Sequence, residues 1–147
     1  MPPGAARIAG LLIDSYHRAA GTALCLPESA EALWHLPLPV VAHGTEADPI
    51  FSYANAAALA LWQMDWDAFT RLPSRRSAEA EPGIQADRSA LLARALAEGI
   101  VRDYQGIRIS AQGHRFRIAD THLWTVTDAG GTRHGQAARI GRVIPLA

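Results

Sequence analysis

The feature that most constrains this chain is a change of period at Gly99. Before it, apolar residues recur at helical spacing; after it they alternate every second position. Three β-like runs follow, at 104–110, 115–127 and 132–144, separated by the turn-rich segments Ala-Gln-Gly at 111–113 and Asp-Ala-Gly-Gly at 128–131. Consecutive strands joined by short turns predict an antiparallel meander. Upstream, the short apolar run 40–42 and the β-prone run 50–53 flank a turn that begins at His43 and Gly44, which predicts a hairpin. Five antiparallel strands with helices gathered on one face make an α+β fold, and a cavity can form where the helices close over the sheet.

The helices are read from periodicity and punctuation. Ile8, Leu11, Leu12, Ser15, Tyr16 and Ala19 share one face, and Gly21 is a natural stop. A second helix is predicted over 28–36, ended by Leu-Pro-Leu-Pro, with no Ser, Thr, Asp or Asn at the expected cap. Asn55 is a good cap for 56–62, a segment of alanine and leucine that is apolar all round and therefore predicted to be buried. Asp65 starts another turn over 65–69. Residues 73–87 form a polar connection, after which Asp87 is predicted to cap a helix over 88–98. A chain of 147 residues holds one core. It divides into an N-terminal helical extension, 1–36, and a sheet-bearing domain, 37–147.

Composition narrows the function classes. Fourteen basic residues balance fourteen acidic ones, so the positive excess of a non-specific nucleic-acid binder is missing, and no nucleic-acid partner is expected. Every basic residue is arginine, which removes Schiff-base lysine chemistry. A lone Cys25 cannot close an internal disulfide and fits a reducing compartment. The apolar stretch 8–13 is too short for a signal peptide, and no run is long enough to span a membrane. The expectation is a cytoplasmic protein without a membrane partner.

Three stretches carry a family likeness: HGTEADPIFSYANAAALALW at 43–62, DWDAFTRLPSRRSAE at 65–79, and YQGIRISAQGHRFRIADTHLWTVTDAGGTRHGQAA at 104–138. They resemble the PAS superfamily and, more narrowly, the MEKHLA domain in a bacterial stand-alone form. The resemblance implies a sensory or regulatory module with a five-stranded sheet. In plants the domain is similar to the C-terminal module of homeodomain–leucine zipper regulators; this chain has neither homeodomain nor zipper heptads, so transcription-factor activity is not carried across. A photoactive flavin domain needs a cysteine on the helix after the second strand. Here that helix has none, and Cys25 lies upstream of both strands. A haem-binding relative needs an axial histidine from the long helix or the next strand; 88–98 has none, leaving His114 and His122. The cofactor stays unassigned.

The resemblance places Tyr53, Trp62, Trp66, Tyr104 and Trp124, with Phe69 and Phe116, on segments expected to wall a cavity. Such aromatics also serve simply as core. Trp62 and Trp66 each need a partner for the indole N–H if buried, which a bound ligand can provide. Arg75 is either an anchor for an acidic ligand or part of a solvated loop in which Ser77 caps a turn and Arg76 pairs with Glu79. Arg108 and Arg117 alternate with Ile107, Ile109, Phe116 and Ile118. They are expected on the outer face, paired with Asp103 or Asp120; pointing inward, they would be ligand anchors. His43 with Glu46 and Asp48 is a weak metal pattern or a capped turn. No phosphate loop, nucleophile elbow or carboxylate pair is present.

Three functions compete. The first is a sensory module binding a small organic ligand through Tyr53, Trp62, Trp66, Arg75, Tyr104 and Trp124 and signalling through a partner or dimer. The second is a ligand-free module that forms a homodimer through Ile8, Leu11, Leu12 and Tyr16. The third is a small-molecule enzyme using the same cavity.

Overall fold

In the computed structural model, which describes residues 1–147, the elements run α1 (Ala5–Ala20), α2 (Ala30–Trp34), β1 (Val40–His43), β2 (Phe51–Ala54), α3 (Ala56–Trp62), α4 (Trp66–Phe69), a 3-10 turn (Ser74–Ser77), α5 (Pro82–Glu98), β3 (Ile100–Ile109), β4 (Arg115–Thr127), β5 (Arg133–Arg139) and β6 (Arg142–Pro145). Gly99 is the expected boundary. It takes φ +85° and its N–H donates to the Ala95 carbonyl at 2.8 Å, ending α5 as β3 begins.

The sheet is antiparallel throughout, with strand order β2-β1-β5-β4-β3. The architecture is the expected α+β sheet with an N-terminal helix, extended by a sixth strand. The run 132–144 is broken: β5 pairs with the C-terminal half of β4, whereas β6 pairs with Phe116–Ala119. At the break, a Cβ on Gly141 would lie 2.2 Å from the Asp120 carbonyl oxygen, so only glycine lets the chain pass.

Helices cover both faces of the sheet. α3 and α5 pack on one, around Phe51, Trp62, Val101, Phe116 and Ile118; α1 and α2 pack on the other, around Leu33, Tyr53, Trp124 and Val126. This corrects the expected homodimer face. Leu12 and Tyr16 are each 1% exposed, buried against the chain's own sheet, and Ile8 and Leu11 are half-buried beside them. The periodicity of α1 was created by an intramolecular partner.

Local chemistry explains the remaining boundaries. Asn55 does more than cap α3. Its Oδ1 accepts from the Ala58 and Val40 N–H groups at 3.1 and 2.9 Å, and its Nδ2 faces the carbonyls of Leu33, Leu36 and Leu38 at 3.0 to 3.4 Å. One buried amide thus joins α2, β1 and α3. Ser29 caps α2, a cap hidden from the sequence reading because the helix starts two residues later than expected, at Ala30. α5 begins five residues ahead of Asp87, with Pro82 in its first turn and the Glu81 carboxylate accepting from the Gly83 and Ile84 N–H groups at 2.9 Å. α3 is not buried all round: Ala58 and Trp62 face inward while Ala56 and Ala60 face solvent, since alanine has little apolar area to drive burial.

Candidate functional site

Between the sheet and the α3–α5 layer lies a cavity of about 50 Å³. Val41, Phe51, Leu92, Ile118, Leu123 and Ile140 supply much of its apolar wall, and His43, Ser74, Ser77, Arg88, Tyr104, Arg108 and Gln136 its polar one. None of the lining residues is acidic.

Strand register decides which side chains reach this space. Arg108 pairs across the strands with Phe116, and Ile107 pairs with Arg117. Cross-strand partners share a face, so Arg108 turns inward with Phe116 and Ile118, and Arg117 turns to the opposite face. The expectation that both arginines lie outside is therefore corrected for Arg108. The acidic residues named as their partners go elsewhere: Asp103 pairs with Arg94 at 3.1 Å and Asp120 with Arg142 at 3.5 Å. Irregularities in the β3–β4 register around Tyr104 bring both Val101 and Tyr104 to the cavity side. α5 contributes Arg88 and Leu92, four residues apart and so on one helical face.

The polar groups form two connected sets. In the first, the Ser74 hydroxyl accepts from the Arg88 guanidinium and lies 2.8 Å from His43 Nδ1, joining α5, the 3-10 turn and β1. In the second, Arg108 donates to the Tyr104 hydroxyl and, at 2.7 Å, to the Ile107 carbonyl, with its guanidinium 5.5 Å from the Tyr104 ring centre. Arg88 is 9% exposed and Arg108 5%, and neither has a carboxylate in contact.

Burial and the nearby Arg88 charge push His43 down to about 4, so at neutral pH it is uncharged and a poor base. Burial lowers Arg88 from the ordinary guanidinium range; Tyr104 and the Asp48 carboxylate oppose the shift, and the positive charge of Arg108 adds to it. Ser74 is 2% exposed, which keeps its hydroxyl from acting as an open nucleophile. The chemistry suited to this arrangement is the recognition of negative charge.

The six sequence-predicted ligand residues divide. Trp62 and Tyr104 line the cavity. The Trp62 indole finds a protein partner, donating to the Ser77 carbonyl at 3.4 Å. Tyr53, Trp66 and Trp124 lie on the α1 side. Tyr53 meets Trp66 edge-on at 5.8 Å, and Trp124 meets Tyr16 at 4.9 Å and donates to Ser15 Oγ at 3.0 Å. The cause for Tyr53 is a bulge in β2. His43 pairs with Phe51 and Ala42 with Tyr53, leaving Ser52 as an extra residue that sends Phe51 and Tyr53 to opposite faces. Arg75 is exposed and paired with Asp48 at 3.2 Å. Glu79 pairs with Arg115 at 2.6 Å rather than with Arg76. No three His, Cys, Asp or Glu side chains converge, so His43, Glu46 and Asp48 do not assemble a metal site. The sequence reading passed over Ser74 and Arg88; an arginine on the core-facing stripe of α5 was the available signal.

The model of the MEKHLA domain family matches residues 6–143, almost the whole chain, α1 included. This chain belongs to the MEKHLA domain family. Among solved structures, the MEKHLA domain described here is similar to an RNA-binding light-oxygen-voltage receptor, with 23% identity and a TM-score of 0.61. That match covers 74% of this chain, which spans only 30% of the receptor. It is also similar to a PAS domain of a protein from Colwellia psychrerythraea, with 13% identity, a TM-score of 0.64, and 80% and 92% of the two chains covered. A light-oxygen-voltage domain studied with a flavin analogue gives 12% identity, a TM-score of 0.58, and 80% and 84% coverage. These likenesses show the PAS-type fold. No curated protein matches the sequence.

The fold raises flavin as the group to test against this MEKHLA domain, and the residues present do not fit it. A 50 Å³ cavity is several times smaller than the roughly 300–1,000 Å³ of typical organic cofactor pockets. α3 carries no thiol, and Cys25 is buried on the α1 side, where burial raises its pKa. Haem fits no better: His114 is exposed at the β3–β4 turn, and His122 shares a 2.8 Å hydrogen bond with Tyr16 on the α1 face.

Proposed function

We propose that this MEKHLA domain is a cytoplasmic sensory module that takes a small ligand into the cavity between the sheet and α5 and signals occupancy to a partner, either a second copy or a separate protein. The single observation that carries the reading is the pair of buried guanidinium groups, Arg88 and Arg108, facing a cavity without a counter-charge. Buried ions are ordinarily paired, because desolvation costs several kcal/mol per ion. A ligand is the missing partner. The route outward runs through α5, whose N-terminal half holds Arg88 and whose exposed face is free to meet another protein. Homodimerisation through α1 loses its motivation, since Leu12 and Tyr16 are occupied by the sheet.

The test is native mass spectrometry of protein purified gently from its own host, with hydrogen exchange read on 74–98 before and after adding a host metabolite extract. Added mass and slower exchange in that segment are expected. A bare protein whose exchange ignores the extract overturns the reading and makes the cavity structural only.

A further inference from the structure

We infer that the cavity ligand is a short-chain carboxylate of about two to four carbons, held between Arg88 and Arg108 with its hydrocarbon end against Phe51, Leu123 and Ile140. The inference rests on the sensory reading above and names the class of ligand.

Charge comes first. A guanidinium carries five N–H donors. Arg88 places one on Ser74, and Arg108 places its bonds on Tyr104 and the Ile107 carbonyl, leaving donors on both groups without a protein acceptor. The carboxylates nearest the polar cluster are committed outside it: Asp48 to the exposed Arg75, and Glu46 to the Ile50 N–H at 3.0 Å. Two planar donor forks with no carboxylate in contact match one planar anion, and carboxylate geometry suits that fork.

Size and polarity narrow the class further. By the measure that a water needs about 10–15 Å³, the 50 Å³ cavity holds the equivalent of three to five waters. That is the scale of a short acid, well below a nucleotide or flavin. An inorganic oxyanion needs hydrogen-bond donors on all sides. Here most of the lining residues are apolar, which suits a molecule with one charged and one hydrocarbon end.

Gly106 supplies the positioning device. A Cβ at this residue would lie 2.8 Å from Arg108 Nη1, so the arginine folds back over the glycine toward Tyr104 and the cavity. A side chain at 106 keeps the charge but moves it.

The experiment measures binding by calorimetry and melting temperature of the full chain with acetate, propionate, butyrate, lactate and pyruvate. Propionamide, propanol, nitrate and phosphate serve as controls at matched ionic strength. At least one carboxylate is expected to bind saturably and raise the melting temperature, with the neutral amide at least about tenfold weaker. Arg88→Met and Arg108→Met should abolish the response while still melting cooperatively, and Gly106→Val should weaken it with both arginines present. Equal binding of the amide overturns charge recognition but leaves a ligand cavity. Binding of nitrate or phosphate alone replaces the organic acid with an inorganic anion. If no probe binds, the carboxylate assignment falls; a non-carboxylate in the native mass spectrum then preserves the sensory reading, and a bare spectrum removes both.

Discussion

The two faces of the sheet are built to different standards. On the α1 face the largest side chains, Tyr16, Tyr53 and Trp124, are almost wholly buried, and the polar atoms of Tyr16 and Trp124 meet partners from within the chain: Trp124 with Ser15, Tyr16 with His122. On the α5 face, positions that strand alternation would give to aliphatics hold Arg108 and His43, and a cavity remains beside them. Neither face is free of exceptions, since the buried Tyr53 hydroxyl on the α1 side has no partner; what sets the α5 face apart is that its exceptions carry charge, where a ligand would be met. Departures from local consistency concentrate at functional sites, and here the buried guanidinium groups lie on one side of a single sheet.

Four substitutions press on that contrast. Trp124→Ala should cost about 3–5 kcal/mol in denaturant unfolding, because a large, hydrogen-bonded ring leaves a void that α1 cannot close. A loss below 1 kcal/mol would show the α1 face to be loosely packed. His43→Asn addresses pH. Histidine titrates near 6.5 when unfolded and near 4 in this fold, so in that window the unfolded state binds the extra proton. Stability should therefore fall as pH drops from 6.5 toward 4, by up to about 3 kcal/mol. The asparagine variant should lose that part of the slope; parallel curves would mean His43 is not the group responsible. Arg108→Met, without ligand, should leave stability unchanged or raise it by about 2 kcal/mol, since an unpaired buried charge is replaced by an apolar chain. A loss of similar size would assign the arginine a structural role. Tyr16→Phe should cost about 1 kcal/mol, the value of its hydrogen bond to His122, and should leave any ligand response intact. A changed response would couple the two faces.

How much of this was legible in the sequence follows from the range of each signal. Asn55, Asp65 and Gly99 announce helix ends because capping acts over three or four residues, and the period change at Gly99 was enough for the fold class. Glu81 was missed because Asp87 offered a competing cap inside the helix. The facing of Arg108 was not legible, since it depends on pairing with Phe116 rather than Arg117, a register fact settled by distant parts of the chain. Tyr53 failed as a ligand residue for a related reason: one unpaired serine in β2 reverses the alternation, and nothing in FSYA marks it. The carboxylate-free setting of Arg88 emerges only when α5, the 3-10 turn and β1 meet.

The docking of α1 has a consequence for how the chain is made. Its apolar stripe is synthesised before the surface that receives it: His122 and Trp124 on β4, beside Ala137 on β5, emerge more than a hundred residues later. Until β4 and β5 follow, Leu12, Ile13 and Tyr16 can meet only α2 and β2 and lack the rest of their cluster. This long separation between partners slows folding and leaves sticky surface exposed on the ribosome.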